Sequence, residues 1–298
     1  MYNFIVNERS GKYRGQKAIR KITEYCNDNK IEYQVYITNA VGHAKKLTEE
    51  LCMKGETEII AVGGDGTFHE VLNGIVDFSS VTIGFIPAGR GNDFARSAHL
   101  SLDPIEAFED ITKNQIKKID FIKVGDDLRC LNVAGTGMDV DVLQAVIDKK
   151  NAISYYTSLV SCILRYKPYR VKITLNGETY EKDCIMVGIC NGGYIGGGMH
   201  IGTNAEIDDA KLDICIVEKQ KRGLLGVLPS FVKGKHEKLP ECIHIDAERI
   251  EVDSFGKPIE LDGEIYDGRS LICEIVKGGL RTYKTGYDLS KELFEGVE

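Results

Sequence analysis

The sequence predicts an α/β protein in two parts: an N-terminal doubly wound domain with a parallel sheet, then a mostly antiparallel β domain. Three observations carry this. Short apolar strands alternate with amphipathic helical segments over the first 130 or so residues. From about Lys167 the pattern switches to period-two alternation separated by turn signals. At 298 residues with 43% apolar content, the chain is long for one core and rich enough for two.

In order, "YNFIV" (2–6), "EYQVYIT" (32–38), "EIIAVGG" (58–64), "VTIGFIP" (81–87) and "KIDFIKV" (118–124) read as strands. "QKAIRKITEYCNDN" and "HAKKLTEELCMK" fill gaps between them as helices. In the second half, "RVKITLNGETYEK" carries an Asn176-Gly177 hairpin signal, and "DCIMVGIC", "KLDICIVE", "ERIEVDSF" and "SLICEIVKG" follow as strands. The expected division is 1–125 and 126–283, with a tail at about 284–298 that returns to the first domain. A helix at "ISYYTSLVSCILRY" (153–166) lies near the junction, and a cleft between the domains is the expected ligand site.

Composition removes several classes. No stretch reaches the roughly 18 apolar residues of a membrane span, and the N-terminus lacks the basic and apolar regions of a signal peptide, so a cytosolic protein is expected. The net charge of −7 argues against general nucleic-acid affinity. Nine scattered cysteines without a Cys-x-x-Cys pair read as reduced core thiols. The six histidines (43, 69, 99, 200, 236, 244) show no metal spacing, and no metal is expected on them.

Chemistry concentrates where strands end. After the third strand, Gly63, Gly64 and Gly66 allow a tight turn and close approach to a ligand, and the following helix offers N–H groups and a partial positive charge to phosphate. Asp65 among phosphates calls for a divalent cation, although a plain helix cap is the competing reading. After the fourth strand, "AGRGNDFARS" repeats the design, with Asn92 and Asp93 placed to cap a helix beginning near Phe94. "NERSG" (7–11), after the first strand, offers Ser10 and Gly11 as further donors. There is no Gly-x4-Gly-Lys-Ser/Thr, and the dinucleotide fingerprint fails because His69 and Phe94 stand where its third glycine belongs.

"VGGDGTFHEVLNGI" with "GFIPAGRGNDFARS" resembles the diacylglycerol kinase catalytic-domain superfamily, in particular its bacterial lipid kinases of the YegS/BmrU-like type. "NVAGTGMDVDV" (132–142), "CNGGYIGGGMHIGTNAEIDDAKLDI" (190–214) and "ELDGE" (260–264) extend the resemblance over nearly the whole chain. It implies an ATP-dependent, Mg²⁺-requiring kinase acting on a lipid alcohol such as diacylglycerol. ATP would be bound by Asn7, Glu8, Arg9, Ser10, Gly11, Thr38, Gly64, Asp65, Gly66, Thr67, Phe68, His69, Glu70, Gly89, Arg90 and Asn92. Asp65 and Asp93 would hold the catalytic Mg²⁺ through water.

The same resemblance makes Asp262 and Glu264 the acidic pair that deprotonates the acceptor, two residues apart in an extended segment and so on one face. Asp262-Gly263 is equally a hairpin signal. A structural Mg²⁺ loop falls on Glu206, Asp209 and Lys211, with 206 and 211 contributing backbone carbonyls. Asp208-Asp209 also reads as an ordinary loop pair. Three departures from the family pattern stand out: Glu8 for proline, Arg90 for threonine and Ala210 for glycine. Rival readings are an NAD kinase-like enzyme and a non-catalytic nucleotide or lipid sensor.

"KQKRGLLGVLPSFVKGKHEK" (219–238) sets six basic residues around an apolar centre, suited to peripheral contact with an anionic membrane or to packing on the β domain. Family analogy also implies a homodimer.

Overall fold

The computed structural model describes residues 1–146, 166–219, 230–231 and 233–286. Most of the 153–166 segment and residues 220–229 and 232 of the basic segment lie outside these, as does the tail beyond 286. The chain forms two compact units, 1–119 with 278–298, and 120–277. The boundaries fall inside strands that continue from one unit into the next, about six residues before the sequence-based divisions at 125 and 283.

The first unit contains β1 (Tyr2–Val6), α1 (Ser10–Asp28), β2 (Tyr33–Ile37), α2 (His43–Met53), β3 (Glu58–Gly63), α3 (Asp65–Gly74), β4 (Thr82–Pro87), α4 (Asp93–Ser97) and α5 (Pro104–Thr112). The sheet order is β4-β3-β1-β2, every pair parallel. The returning chain adds an edge strand, with Arg281 and Thr282 paired in parallel to Thr82 and Ile83. After their first residues, Glu58 and Thr82, β3 and β4 carry no polar side chain because both faces are covered. Phe4, Val6, Ile60, Val62 and Ile86 meet Ile19, Ile22, Phe108 and Ile111 of α1 and α5. Phe85, with its opposite facing, packs edge-on against Phe68 and Phe94 at centroid distances of 5.0 and 4.9 Å.

α5 begins as its sequence dictates: Asp103 accepts from the N–H groups of Ile105 and Glu106, and Pro104 takes the first helical position. α1 begins differently, because Gly11, Lys12 and Tyr13 have φ values of 55, 59 and 68°. They form a left-handed turn before the regular helix. A Cβ at Gly11 would lie 2.3 Å from the Ala88 carbonyl oxygen, so this position admits only glycine.

β5 (Ile116–Val124) leads out of the first unit. The second contains β6 (Leu128–Cys130), β7 (Val133–Gly137), α6 (Met138–Val146), β8 (Tyr169–Leu175), β9 (Glu178–Cys190), β10 (Tyr194–Ile195), β11 (Met199–His200), β12 (Leu212–Glu218), a 3₁₀ turn (His236–Lys238), β13 (Cys242–Ala247), β14 (Arg249–Asp253), β15 (Ile259–Leu261), β16 (Glu264–Tyr266) and β17 (Leu271–Tyr283). Within this unit the pairings are antiparallel, in the order β16-β15-β7-β9-β8-β14-β17, with β12 joining β9 to β13. Asn176-Gly177 closes the β8–β9 hairpin as its turn chemistry predicts. β12 is apolar from Ile214 to Val217 because both its faces are buried there: Ile214 and Ile216 enter one apolar cluster, Cys215 and Val217 the other. The eight cysteines among the described residues are free thiols, seven of them buried.

Candidate active site

In the first unit, three strand-end loops converge. The β3–α3 and β4–α4 loops touch backbone to backbone: a Cβ on Gly89 would stand 2.7 Å from the Gly64 Cα, and one on Gly64 would stand 3.0 Å from the Gly89 Cα. Only residues without side chains allow this approach, which explains the glycine at each position. Asn7 joins them through its Nδ2, donating to Thr67 Oγ1 at 3.3 Å, and Arg14 donates to the Gly89 carbonyl at 3.3 Å.

Asp65 opens α3 and reaches across to α4, where its Oδ1 accepts the Phe94 N–H at 3.0 Å. This corrects the expected cap. Asn92 makes no side-chain cap; it adopts a left-handed conformation (φ 52°) and its Oδ1 instead accepts the Gly89 N–H at 2.8 Å, closing its own loop. Asp93 is buried at the first position of α4. Ser10, with its N–H on the Asn7 carbonyl, and Thr38, with its N–H on the Val6 carbonyl, sit at the ends of the same sheet edge. Arg9 and Arg90 are exposed and Glu8 partly so.

Three of the residues implied for ATP serve the interior. Phe68 is fully buried in the aromatic cluster. His69 is 3% exposed and its Nε2 lies 3.3 Å from Asn73 Nδ2. Glu70 caps α2, accepting the Gly42 and Ala44 N–H groups at 2.8 and 2.9 Å. Their side chains are committed because α3 packs that face inward and toward α2. The loop residues Gly64 to Gly66 carry the solvent-facing part of the motif.

In the second unit, the 260–264 segment turns back on itself at Asp262 and Gly263, which corrects the extended reading. Asp262 and Gly263 have φ of 52 and 85° and join β15 to β16 as a two-residue hairpin, with Leu261 opposite Glu264. The Asp262 carboxylate is held by three donors: the Leu131 N–H at 2.8 Å, the Asn132 N–H at 2.7 Å and the Cys130 Sγ at 3.2 Å. Glu264 follows directly, partly exposed. Two further acids were missed by sequence reasoning. Glu260, 5% exposed, accepts the Gly263 N–H at 2.8 Å. Asp139, at the start of α6, lies with Glu260 around Gly135, where a Cβ would meet their oxygens at 2.1 and 3.2 Å. Burial pushes the Asp139 carboxyl up to about 7 against the pull of its backbone hydrogen bonds, with Asp141 adding to the rise. The signal was available in "NVAGTGMDVDV", where an acid follows glycines directly after a strand.

The loop on which the resemblance places a structural Mg²⁺ is held by carboxylates. Asp209 Oδ1 accepts the Lys211 N–H at 3.0 Å, and the buried Asp120, also unanticipated, accepts the Ala210 N–H at 2.7 Å. Burial raises the Asp209 pKa, and the neighbouring Asp120 and Glu206 charges add to the rise, the like-charge crowding that a divalent ion relieves. Lys211 turns its ammonium to Asp246 at 3.4 Å, leaving its backbone to the loop. Ala210 takes φ 66°, so the chain keeps the turn that glycine favours and bears its strain.

Within the first unit, glycine loops at the carboxyl ends of parallel strands, with a carboxylate spanning two of them, are the arrangement of a phosphotransferase. The chain belongs to the diacylglycerol kinase catalytic-domain family of lipid kinases: residues 1–124 match the model "Diacylglycerol kinase catalytic domain", and residues 132–283 match "YegS C-terminal NAD kinase beta sandwich-like domain". It is 27% identical to a diacylglycerol kinase of Staphylococcus saprophyticus over 89% of this chain and 88% of the relative. It is 29% identical to a YegS-like candidate lipid kinase of an Enterobacter species over 87% and 88%. A crystal structure of a candidate diacylglycerol kinase from Bacillus anthracis superposes with a TM-score of 0.79 at 27% identity, covering 97% of this chain and 95% of that one.

Proposed function

We propose that this protein transfers the γ-phosphoryl group of ATP to the hydroxyl of a lipid alcohol, diacylglycerol giving phosphatidic acid. The observation that carries the reading is the backbone contact of Gly64 with Gly89, bridged by Asp65 on Phe94. It brings two glycine loops and their helix starts to one place, as binding a polyphosphate requires. The oxygen donors of Asp65 and Asp93 suit Mg²⁺, which would neutralise charge on the transferred group. Asn7 and Ser10 to Gly11 line the nucleotide, and Arg90 replaces a hydroxyl with a fork of phosphate donors. Asp262 or Glu264 accepts the hydroxyl proton. The three hydrogen bonds on Asp262 fix its orientation and shape the turn that presents Glu264.

The test is incubation with labelled ATP, Mg²⁺ and a panel of lipid alcohols, with label expected in phosphatidic acid. Label in none of the lipids would overturn the reading. Glu264→Gln should lower kcat with the melting temperature unchanged, whereas Asp262→Asn should lower both.

No helix among the described residues is long and apolar enough to cross a membrane. We assign peripheral contact to the 219–238 segment on its charge and apolar centre. Charge reversal at Lys219, Lys221 and Arg222 should weaken flotation with anionic liposomes; unchanged flotation would remove the assignment.

A further inference from the structure

Away from both acidic regions, Cys215, His236 and His244 come together in the second unit, with their donor atoms within 4.8 Å of one another. Two separate features of the fold build this cluster. Cys215 of β12 and His244 of β13 are directly opposed in the strand register, so their side chains share a face. His236 arrives from the 3₁₀ turn in the connection between those strands and is completely buried.

The outward side of each imidazole is already engaged. His244 Nδ1 lies 3.2 Å from Asp213 Oδ1, and His236 Nε2 lies 3.0 Å from the Ile201 carbonyl oxygen. A carboxylate and a carbonyl only accept, so these nitrogens carry the protons and the other nitrogen of each neutral ring presents a lone pair. Those two atoms, His236 Nδ1 and His244 Nε2, are sealed from solvent and have no hydrogen-bond partner among the described residues. Buried polar atoms are nearly always paired, and here two orphaned acceptors adjoin a buried thiol. The ring of His236 is held by Phe231, stacked at 4.4 Å and 13°, with the His244 ring 5.1 Å away.

We propose that Cys215 Sγ, His236 Nδ1 and His244 Nε2 form a binding site for a borderline-soft divalent transition metal, with Zn²⁺ as the reference ion. One sulfur and two imidazole nitrogens select such an ion over Mg²⁺ or Ca²⁺, which take oxygen. Asp213 and the Ile201 carbonyl supply the outer hydrogen bonds that orient ligating histidines. Tetrahedral ligands sit about 3.3–3.8 Å apart, so small side-chain rotations must draw the three donors inward on binding. Binding forms three coordinate bonds and releases the Cys215 thiol proton to solvent.

The site would clip the connection between β12 and β13 to the sheet beneath it. That connection contains the basic and apolar segment 219–238, so the metal would fix one end of the proposed membrane contact while taking no part in phosphoryl transfer.

The experiment uses the full chain stripped with a chelator and titrated with Co²⁺ under anaerobic conditions. The expected result is one equivalent bound, with a thiolate-to-cobalt charge-transfer band and intense tetrahedral d–d absorption, both lost on adding Zn²⁺ and unaffected by Mg²⁺. Cys215→Ser and His244→Gln should each abolish the charge-transfer band or its tetrahedral signature, while Cys52→Ser should keep both. A folded wild-type chain without the band, or a band that survives in Cys215→Ser, would overturn the proposal. Should a variant fail to fold, alkylation of the wild-type chain in mild denaturant decides: Zn²⁺ is expected to protect Cys215, and equal labelling with and without Zn²⁺ refutes the site.

Discussion

The Asp65 carboxylate accepts the Phe94 N–H at 3.0 Å, so the aspartate that opens one helix caps the start of another. Its charge and its acceptor oxygen therefore do separable work. Asp65→Asn keeps an oxygen for Phe94 and removes the charge, whereas Asp65→Ala removes both. We expect both variants to lose ATP-dependent transfer, and only the alanine variant to lose about 1 kcal/mol of stability, the usual worth of a helix cap. Denaturant melts beside a transfer assay check this; retained turnover in Asp65→Asn would show that the charge is dispensable.

Gly89→Ala forces a methyl group to 2.7 Å from Gly64 Cα and Asn92 Oδ1. The two loops must separate, so the variant should bind ATP far more weakly. Calorimetric titration with ATP measures the loss, and Gly42→Ala, where a Cβ meets nothing within 4 Å, should leave ATP binding unchanged.

Ala210→Gly should stabilise the second unit. Alanine at φ 66° bears roughly 1–2 kcal/mol of left-handed strain, and glycine returns part of that gain through its larger unfolded-state entropy, leaving about 0.5–1 kcal/mol. The gain should appear in urea unfolding, with the metal loop's conformation unchanged.

Asp139 should make stability fall as pH rises. Its folded pKa, about 7, exceeds the ordinary carboxylate value, so the folded state holds a proton that the unfolded chain has released between those values. The contribution is complete below the unfolded pKa and is lost on passing upward through about 7, with a slope no steeper than about 1.4 kcal/mol per pH unit. Asp139→Asn should remove this dependence. Parallel slopes for wild type and variant would show that the carboxyl titrates normally.

The longer strands were largely legible in the chain, because a buried parallel strand is mostly apolar and a hairpin must carry its turn residues, whereas the order in which they pair was not. "EIIAVG" and Asn176-Gly177 needed nothing beyond themselves. The glycine loops were legible for the same reason, since close approach excludes side chains. Asp120 was not, for a single acid in a run of apolar residues has no local mark of the neighbours it will meet; Asp139 and Glu260 stood in recognised motifs, but nothing along the chain showed that they would meet around Gly135.

The sequence by itself determined the two-part architecture and the close-approach glycine loops, because each depends on residues adjacent along the chain. Tertiary structure alone decided which atoms those residues engage. It turned Asn92 toward Gly89, gave the cap of α4 to Asp65, committed Glu70 to α2 and placed His236 beside His244 and Cys215. The physical reason is range: propensity and turn geometry act over a few residues, while hydrogen bonds and ligand sets are completed by groups that strand register and helix packing deliver from far along the chain.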